Sequence, residues 1–221
     1  MSNAQKGSNA KFSVASAAGS PKTITAITQA NPAIVTATAH GFSQGDVVVL
    51  DNIVGMTQLN GRAFTVDFTA VGASPITNKF ALKGVDTSGS NYSAYSSGGT
   101  ATKQTMTQVA GILEVSGFDG SAAEIDVTQI DSTSKEYIIG LQDFGTATLR
   151  TFLAPTDAGQ TLLRGLRAQA ALAAYSVLLA SGQQATFMAY VRQFTFSGVK
   201  ADGAVEGQLV LRITKEPAYF A

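Results

Sequence analysis

The chain has 221 residues, no cysteine, and a formal net charge of zero from fifteen basic and fifteen acidic side chains. Balanced charge argues against tight non-specific nucleic-acid binding, which depends on clustered Lys and Arg side chains. The absence of cysteine excludes disulfides, thiolate metal sites and cysteine nucleophiles. Hydrophobic residues make up 45% and charged residues only 14%, a composition that suits a protein covered by copies of itself.

The start of the chain predicts neither export nor membrane insertion. Residues 1–14, MSNAQKGSNAKFSV, lack the basic and then apolar pattern of a secretory signal. No apolar run approaches the roughly 20 residues that a membrane helix needs. We therefore expect a protein that is made in the cytoplasm. The stretch AKFSVAS (10–16) alternates and predicts a strand that pairs near residues 106–114.

Residues 22–102 predict a small β domain, because short valine-rich runs alternate with good turn formers. The predicted strands are TITAIT (23–28), AIVTAT (33–38), DVVVL (46–50), AFTVDFT (63–69) and NKFAL (78–82). Short strands at this spacing are typical of a small barrel or sandwich. The segment ends in DTSGSNYSAYSSGGT (86–100), whose composition fits either an adaptable binding loop or a flexible surface loop.

The predicted strands become longer beyond residue 105. They are MTQVAGILEVSG (106–117), AEIDVTQI (123–130), EYIIGLQ (136–142), TATLRTFLA (146–154), AYSVLLAS (174–181), QATFMAYVRQFTFSG (184–198) and AVEGQLVLRITKE (204–216). The last of these alternates clearly between apolar and polar residues. Such a pattern indicates a half-buried strand of an antiparallel sheet.

One helix, at about 157–171, is predicted among these strands. Thr156 or Asp157 is the candidate N-cap, and Gln160 follows Asp157 by three residues. An apolar stripe then runs along one face, formed by Leu162, Leu163, Leu166 and Ala170. We expect this helix to cover one open side of a sheet.

The pattern predicts a large domain that is interrupted by a small one. Residues 1–21 would provide an N-terminal arm and the first strand, residues 22–102 the inserted domain, and residues 103–221 the rest of the large domain. The insertion would lie between two neighbouring strands, so its two ends should lie close together.

The candidates for chemistry are few. His40, in TATAHGFSQGDVVVL, is the only histidine, and we interpret it as a partly exposed residue of a turn or strand end. Glu124 and Asp126 share a strand face; as a pair they could serve a glycosidase, but their alternation with apolar residues favours a solvated face. Phosphate loops, dinucleotide fingerprints and nucleophile elbows do not occur. We therefore predict no enzyme activity, no cofactor and no metal.

Two long stretches carry a resemblance to a known family. SGFDGSAAEIDVTQIDSTSKEYIIGLQDFGTATLRTFLAPTDAGQTLLRGLRAQ (116–169) and FMAYVRQFTFSGVKADGAVEGQLVLRITKEP (187–217) resemble major tail tube proteins of bacteriophages with long, non-contractile tails, the siphophages. Residues 8–16 and 104–115 extend the resemblance. Residues 23–66 resemble a small β-module that recurs in phage tail proteins, and a similar element is associated with ubiquitin-activating enzymes.

The resemblance implies a tail-tube-type β-sandwich with one flanking helix, plus an inserted small β-barrel or sandwich. It implies a structural protein of the virion tail, assembled as hexameric rings that stack into a tube for DNA ejection. The implied partners are copies of itself, the tape measure, tail terminator and distal tail proteins, and DNA in transient, non-specific passage.

The resemblance also implies a set of contact residues. The loop that mediates ring stacking in the family maps to residues 128–138, which makes Thr128, Asp131, Lys135, Glu136 and Tyr137 the expected subunit contacts. The N-terminal arm (1–9) is implied to become ordered in the same way. An alternative function is a phage tail adhesion module, which would contact a host glycan or receptor through the 22–102 insert and its Tyr/Ser loop (91–96).

Overall fold

The structure is a computed structural model that describes residues 9–72, 76–197 and 203–219. Strands dominate these residues, and one α-helix, α1 (Ala158–Ala168), lies among them. The chain is mainly β with one helix, as the sequence predicts, and its main sheet is a curled half-barrel, which is consistent with the predicted β-sandwich. Most of the N-terminal arm expected at 1–9 lies outside the described residues.

The strands form two groups along the chain. The first group comprises β1 (Lys11–Ala18), β2 (Lys22–Thr23), β3 (Ala26–Ile27), β4 (Ile34–Thr36), β5 (Val47–Val54), β6 (Arg62–Asp67), β7 (Lys79–Leu82) and β8 (Ser97–Gln108). The second comprises β9 (Ile112–Gly117), β10 (Ser121–Asp126), β11 (Tyr137–Asp143), β12 (Thr146–Phe152), β13 (Leu172–Leu178), β14 (Gln184–Ser197) and β15 (Glu206–Ile213).

One antiparallel sheet contains nearly all of these strands. Its order is β3-β4-β7-β6-β5-β8-β1-β13-β14-β15-β12-β9, and β2 pairs beside this path with β8. The two remaining strands, β10 and β11, form a separate two-stranded sheet. The main sheet therefore ends at β3 on one side and at β9 on the other.

The first strand pairs where the sequence predicts. Ser13, Val14 and Ala15 of β1 lie opposite residues 108, 107 and 106 of β8. The chain leaves β1 and returns to β8 at one place, since the N–H of Gly19 donates to the carbonyl of Lys103 at 2.8 Å. One continuous strand, β8, runs through the predicted boundary at 102/103, and the division into domains stays a prediction.

The predicted strand at 106–117 is wrong in one respect, because the chain turns within it. β8 ends at Gln108 and β9 begins at Ile112. Gly111 adopts φ +78°, and a Cβ there would lie 2.9 Å from the carbonyl oxygen of Phe152. The turn sends β9 to the far end of the sheet, where it pairs with β12.

Two hydrophobic clusters fill the fold. The first core consists mainly of buried side chains from the first group of strands and the segments between them, including Leu50, Leu59, Phe64, Phe80 and Leu82. The second core lies within the later strands and includes Phe12, Leu163, Tyr175, Phe187 and Leu209. A small linking cluster of Val47, Ala63, Ala174 and Met188 joins strands β5 and β6 to β13 and β14.

The helix begins as its sequence predicts and ends earlier. Asp157 is the N-cap, and its carboxylate accepts the N–H of Gln160 at 2.7 Å. Leu163 is fully buried against the second core. The helix ends at Ala168 rather than near 171, because Ala170 takes φ +48°, a conformation that cannot continue a right-handed helix.

Candidate assembly surface

His40 is buried, which corrects the expectation of a partly exposed residue. Only 3% of it is accessible, because the rings of Phe42, Phe68 and Phe80 pack around it with centroid distances of 4.8, 6.0 and 5.3 Å. Its Nδ1 accepts the N–H of Phe42 at 2.9 Å. Burial lowers its pKa, so the imidazole is neutral and out of reach of a substrate.

The two tyrosines of the 86–100 loop hold that loop in place. The hydroxyl of Tyr92 accepts from Arg62 Nη1 at 3.2 Å, and that of Tyr95 lies 2.9 Å from the carbonyl of Gly98. Both rings pack against the first core. Side chains that serve the interior are not presented to a partner, so this loop does not favour the adhesion module.

Glu124 and Asp126 are exposed on β10. The carboxylate of Asp126 accepts hydrogen bonds from both the hydroxyl and the N–H of Thr128. These bonds lower the pKa of Asp126, and the bond from the hydroxyl has the larger effect. It is therefore an ionised acceptor that fixes a turn. Within ranges 9–72, 76–197 and 203–219, no three His, Asp or Glu side chains are grouped so as to hold a metal ion.

A hairpin formed by β10 and β11, here residues 118–145, is the main candidate for an interaction site. The pairing of β9 with β12 ends where Gly117 lies opposite Ala147. The pairing of β10 with β11 begins a few residues further along the same two chain segments, where Ser121 lies opposite Asp143. The register shifts once, between Ala122 and Glu124. The hairpin is therefore an extension of the sheet edge that the rest of the fold does not cover.

The base of the hairpin is firmly held. Phe118 takes φ +63°, and its ring packs edge-on against Phe187 of the second core at 5.1 Å. The N–H of Thr146 donates to the carboxylate of Asp119 at 3.0 Å, and the carbonyl of Thr146 accepts the N–H of Phe118 at 3.0 Å. These contacts anchor the hairpin at its origin in the body.

Contacts at the tip link four of the five residues that the resemblance implies as subunit contacts. Glu136 donates its N–H to the hydroxyl of Thr128 at 3.1 Å, and Lys135 lies 3.6 Å from Asp126 and 6.0 Å from the ring centroid of Tyr137. Asp131 is exposed and forms no ion pair with any described residue. Several of these side chains therefore shape the turn itself.

The sequence reasoning missed the apolar residues of the hairpin. The exposed fractions are 108% for Ile130, 91% for Leu141, 67% for Ile139, 52% for Ile138, 50% for Tyr137 and 48% for Ile125. Ile125 and Ile138 lie opposite each other on one face, and the register shift brings Leu141 to that same face, whereas Tyr137 and Ile139 lie on the other. The signal was present in EYIIGL, where consecutive apolar residues break the alternation of a half-buried strand.

This arrangement is suited to contacts with another protein. A two-stranded hairpin alone is marginally stable in water, and apolar patches of this kind mark interaction sites. The protomer leaves both faces exposed, so we expect another protein to bury them.

Comparison with known families points the same way. Residues 83–186 match the family model described as phage tail tube, TTP, lambda-like. The match supports a phage tail tube protein. It covers β8 to β13, including the whole hairpin and α1. It therefore supports a structural, non-enzymatic role in the virion tail, with self-assembly and contacts to other tail components.

A second family model overlaps the first. Residues 30–105 match the model described as ubiquitin-activating enzyme E1 FCCH domain, and the two matches share residues 83–105. Residues 30–105 contain β4 to β7 and most of β8. No curated protein matches the chain. Among the described residues, no helix has the length and apolar character to cross a membrane.

Proposed function

We propose that this tail tube protein polymerises as stacked hexameric rings into the tail of a siphophage, and that DNA passes through the tube at ejection. The observation that carries the proposal is the tail tube match over residues 83–186. In the virion, the tape measure, tail terminator and distal tail proteins would contact this tube.

The open sheet edge supports assembly from many copies. β9 pairs with β12, and no other described strand pairs along its second edge. Exposed edges offer unpaired N–H and C=O groups to another chain. When two different surfaces of one protein bind each other, the assembly closes into a ring or continues as a filament. A tube of stacked rings needs one contact that closes each ring and a second contact that joins each ring to the next.

The hairpin provides the proposed inter-ring surface. Thr128, Asp131, Lys135, Glu136 and Tyr137 would form its polar and aromatic contacts at the tip. Leu141 and Ile139, the most exposed apolar residues of β11, would supply apolar area. Each Å² removed from water contributes about 25 cal/mol, so this apolar area would provide most of the stabilisation.

The charges of the later strands suit a conduit that does not hold DNA. Residues 106–221 contain eight basic and eleven acidic side chains, a net of −3. Arg150 lies 2.7 Å from Glu206 and 3.9 Å from Glu114, and Arg212 lies 2.6 Å from Asp143. Arginines that are paired with carboxylates neutralise few phosphates, so binding to DNA would be weak and passage easy.

Negative-stain electron microscopy of the purified protein tests this proposal. We expect rings with sixfold symmetry and tubes built from them. Leu141→Asp should abolish tubes, because it places a charge on the hairpin contact. Val54→Asp is the matched control, since Val54 is 54% exposed on β5, away from the hairpin. A wild-type protein that stays monomeric at high concentration would overturn the proposal.

A further inference from the structure

We infer that the hairpin of one copy binds in an apolar groove between β1 and β9 of the next copy. The inference rests on the proposed function, because it names the two surfaces that meet when copies assemble. The groove has a volume of ≈570 Å³. Its apolar lining includes Phe12, Ile112, Leu113, Val115, Phe118 and Leu179.

The groove exists because the half-barrel does not close. β1 pairs with β8 and β13, and β9 pairs with β12, but β1 and β9 do not pair with each other. The second core is therefore reached from outside at this position. Ile112, Val115 and Leu179 are partly buried against the core, and Leu113 is 45% exposed.

The hairpin has the shape and chemistry to fill this groove. A strand laid along the open edge of β9 would pair its backbone groups and direct alternate side chains to one side. On β11, Ile138 and, beyond the bulge, Leu141 share one such face, with Ile125 of β10 opposite Ile138. Ile139 and Leu141 are 67% and 91% exposed in the protomer, so the hairpin does not occupy the groove of its own chain.

Charge at the groove favours the same occupant. Two charged residues line the groove: Lys11 is exposed and forms no ion pair with any described residue, whereas Glu114 lies 3.9 Å from Arg150. The hairpin carries Glu124, Asp131 and Glu136 as exposed carboxylates. Opposite charges on two surfaces that must meet steer their association and fix their register.

Cysteine cross-linking tests the contact directly, because the chain has no native cysteine. The double variant Leu113→Cys/Leu141→Cys, assembled and then oxidised, should give a ladder of disulfide-linked multimers on a non-reducing gel, and reductant should collapse it. The matched control Val54→Cys/Leu141→Cys should give no ladder. A ladder from the control variant and none from Leu113→Cys/Leu141→Cys would contradict the inference that the hairpin binds in this groove.

A mixing experiment separates this inference from the proposed function. Leu113→Asp damages the groove and Leu141→Asp damages the hairpin, so neither variant alone should form tubes. In a mixture, the intact hairpin of Leu113→Asp can still bind the intact groove of Leu141→Asp. Sedimentation should then show paired protomers or paired rings that grow no further.

Two other outcomes are distinguishable, with circular dichroism checking that each variant is folded. If folded Leu113→Asp forms normal tubes while Leu141→Asp does not, the hairpin binds elsewhere, so the groove is wrong and the proposed function stands. If the wild type forms no assembly at all, the proposed function fails.

Discussion

At the scale of single residues, His40 couples stability to pH. Its Nε2 is buried and finds no hydrogen-bond partner among the described residues, and burial lowers its pKa. The unfolded chain therefore binds the proton first as pH falls. The contribution of neutral His40 is complete above about pH 6.5, the ordinary value for histidine, and is lost progressively below it, until the folded state is also protonated.

We expect the free energy of unfolding to fall between pH 7.5 and 5 in the wild type, and to change less in His40→Asn. Asparagine keeps a side-chain acceptor for the N–H of Phe42 but does not titrate in this range. Urea denaturation at several pH values measures the slope. Equal slopes in the two proteins would show that another group is responsible.

Tyr175 carries a buried hydroxyl without a partner among the described residues. Its ring lies 5.8 Å from Phe12 and 5.5 Å from Phe187, and burial raises its pKa. Tyr175→Phe keeps the ring and removes the unpaired polar atom, so it should raise the free energy of unfolding by about 1 kcal/mol. Tyr175→Leu, which removes the ring contacts, should lower it; thermal denaturation distinguishes the two.

At the scale of elements, the helix contains two glycines with opposite roles. A Cβ on Gly159 would lie 2.6 Å from the carbonyl oxygen of Gln108 and 2.7 Å from Cα of Val109, whereas a Cβ on Gly165 would meet nothing within 4 Å. Close packing of α1 on the β8–β9 turn therefore requires glycine at 159 but not at 165.

Gly159→Ala should lower the free energy of unfolding by about 1–3 kcal/mol through overpacking. Gly165→Ala should raise it by about 0.5–1 kcal/mol, because alanine has the higher helix propensity. The two variants make the same change in one helix, so chemical denaturation compares them directly. A destabilised Gly165→Ala would contradict the account of the helix.

Gln160 shows why the sequence predicts where α1 begins but not how the helix packs. The spacing of Asp157 and Gln160 predicts the cap from the sequence. The side chain of Gln160, however, is buried and donates to the carbonyls of Phe152 at 2.7 Å and Ala110 at 3.0 Å. These partners come from a neighbouring loop and strand, which local spacing cannot reveal.

At the scale of the whole molecule, Arg62 joins distant parts of the chain. Its side chain is 6% exposed, and its Nη1 lies 2.9 Å from the carboxylate of Glu216. Its Nε donates to the carbonyl of Glu216 at 3.1 Å, and it lies 5.1 Å above the ring of Phe64. A guanidinium from β6 therefore holds the segment that follows β15.

Arg62→Leu should lower the free energy of unfolding by about 2–3 kcal/mol, because carbonyls and the Tyr92 hydroxyl lose a charged donor in a buried setting. Arg212→Leu is the matched control. Its pair with Asp143 has side chains that are 46% and 48% exposed, and such solvent-exposed pairs contribute little to stability. Similar losses for the two variants, measured by urea denaturation, would contradict the role given to Arg62.

The sequence by itself determined the local features: the mainly β class, the single helix and its Asp157 cap, and the strand at 10–16. Each depends on periodicity, capping or turn residues within a short window, and such signals do not need the rest of the chain. The tail tube resemblance likewise follows from ordered motifs along the chain, and the match over residues 83–186 supports it.

Only the tertiary structure decided which residues are covered. His40 follows an ordinary turn pattern, yet Phe68 and Phe80, which are distant in the sequence, pack on it together with the neighbouring Phe42 and bury it. EYIIGL is apolar, yet no other element among the described residues lies over it, so Ile139 and Leu141 are exposed. Burial is set by what packs across long sequence separations, and the Gly111 turn and the open groove between β1 and β9 have the same origin.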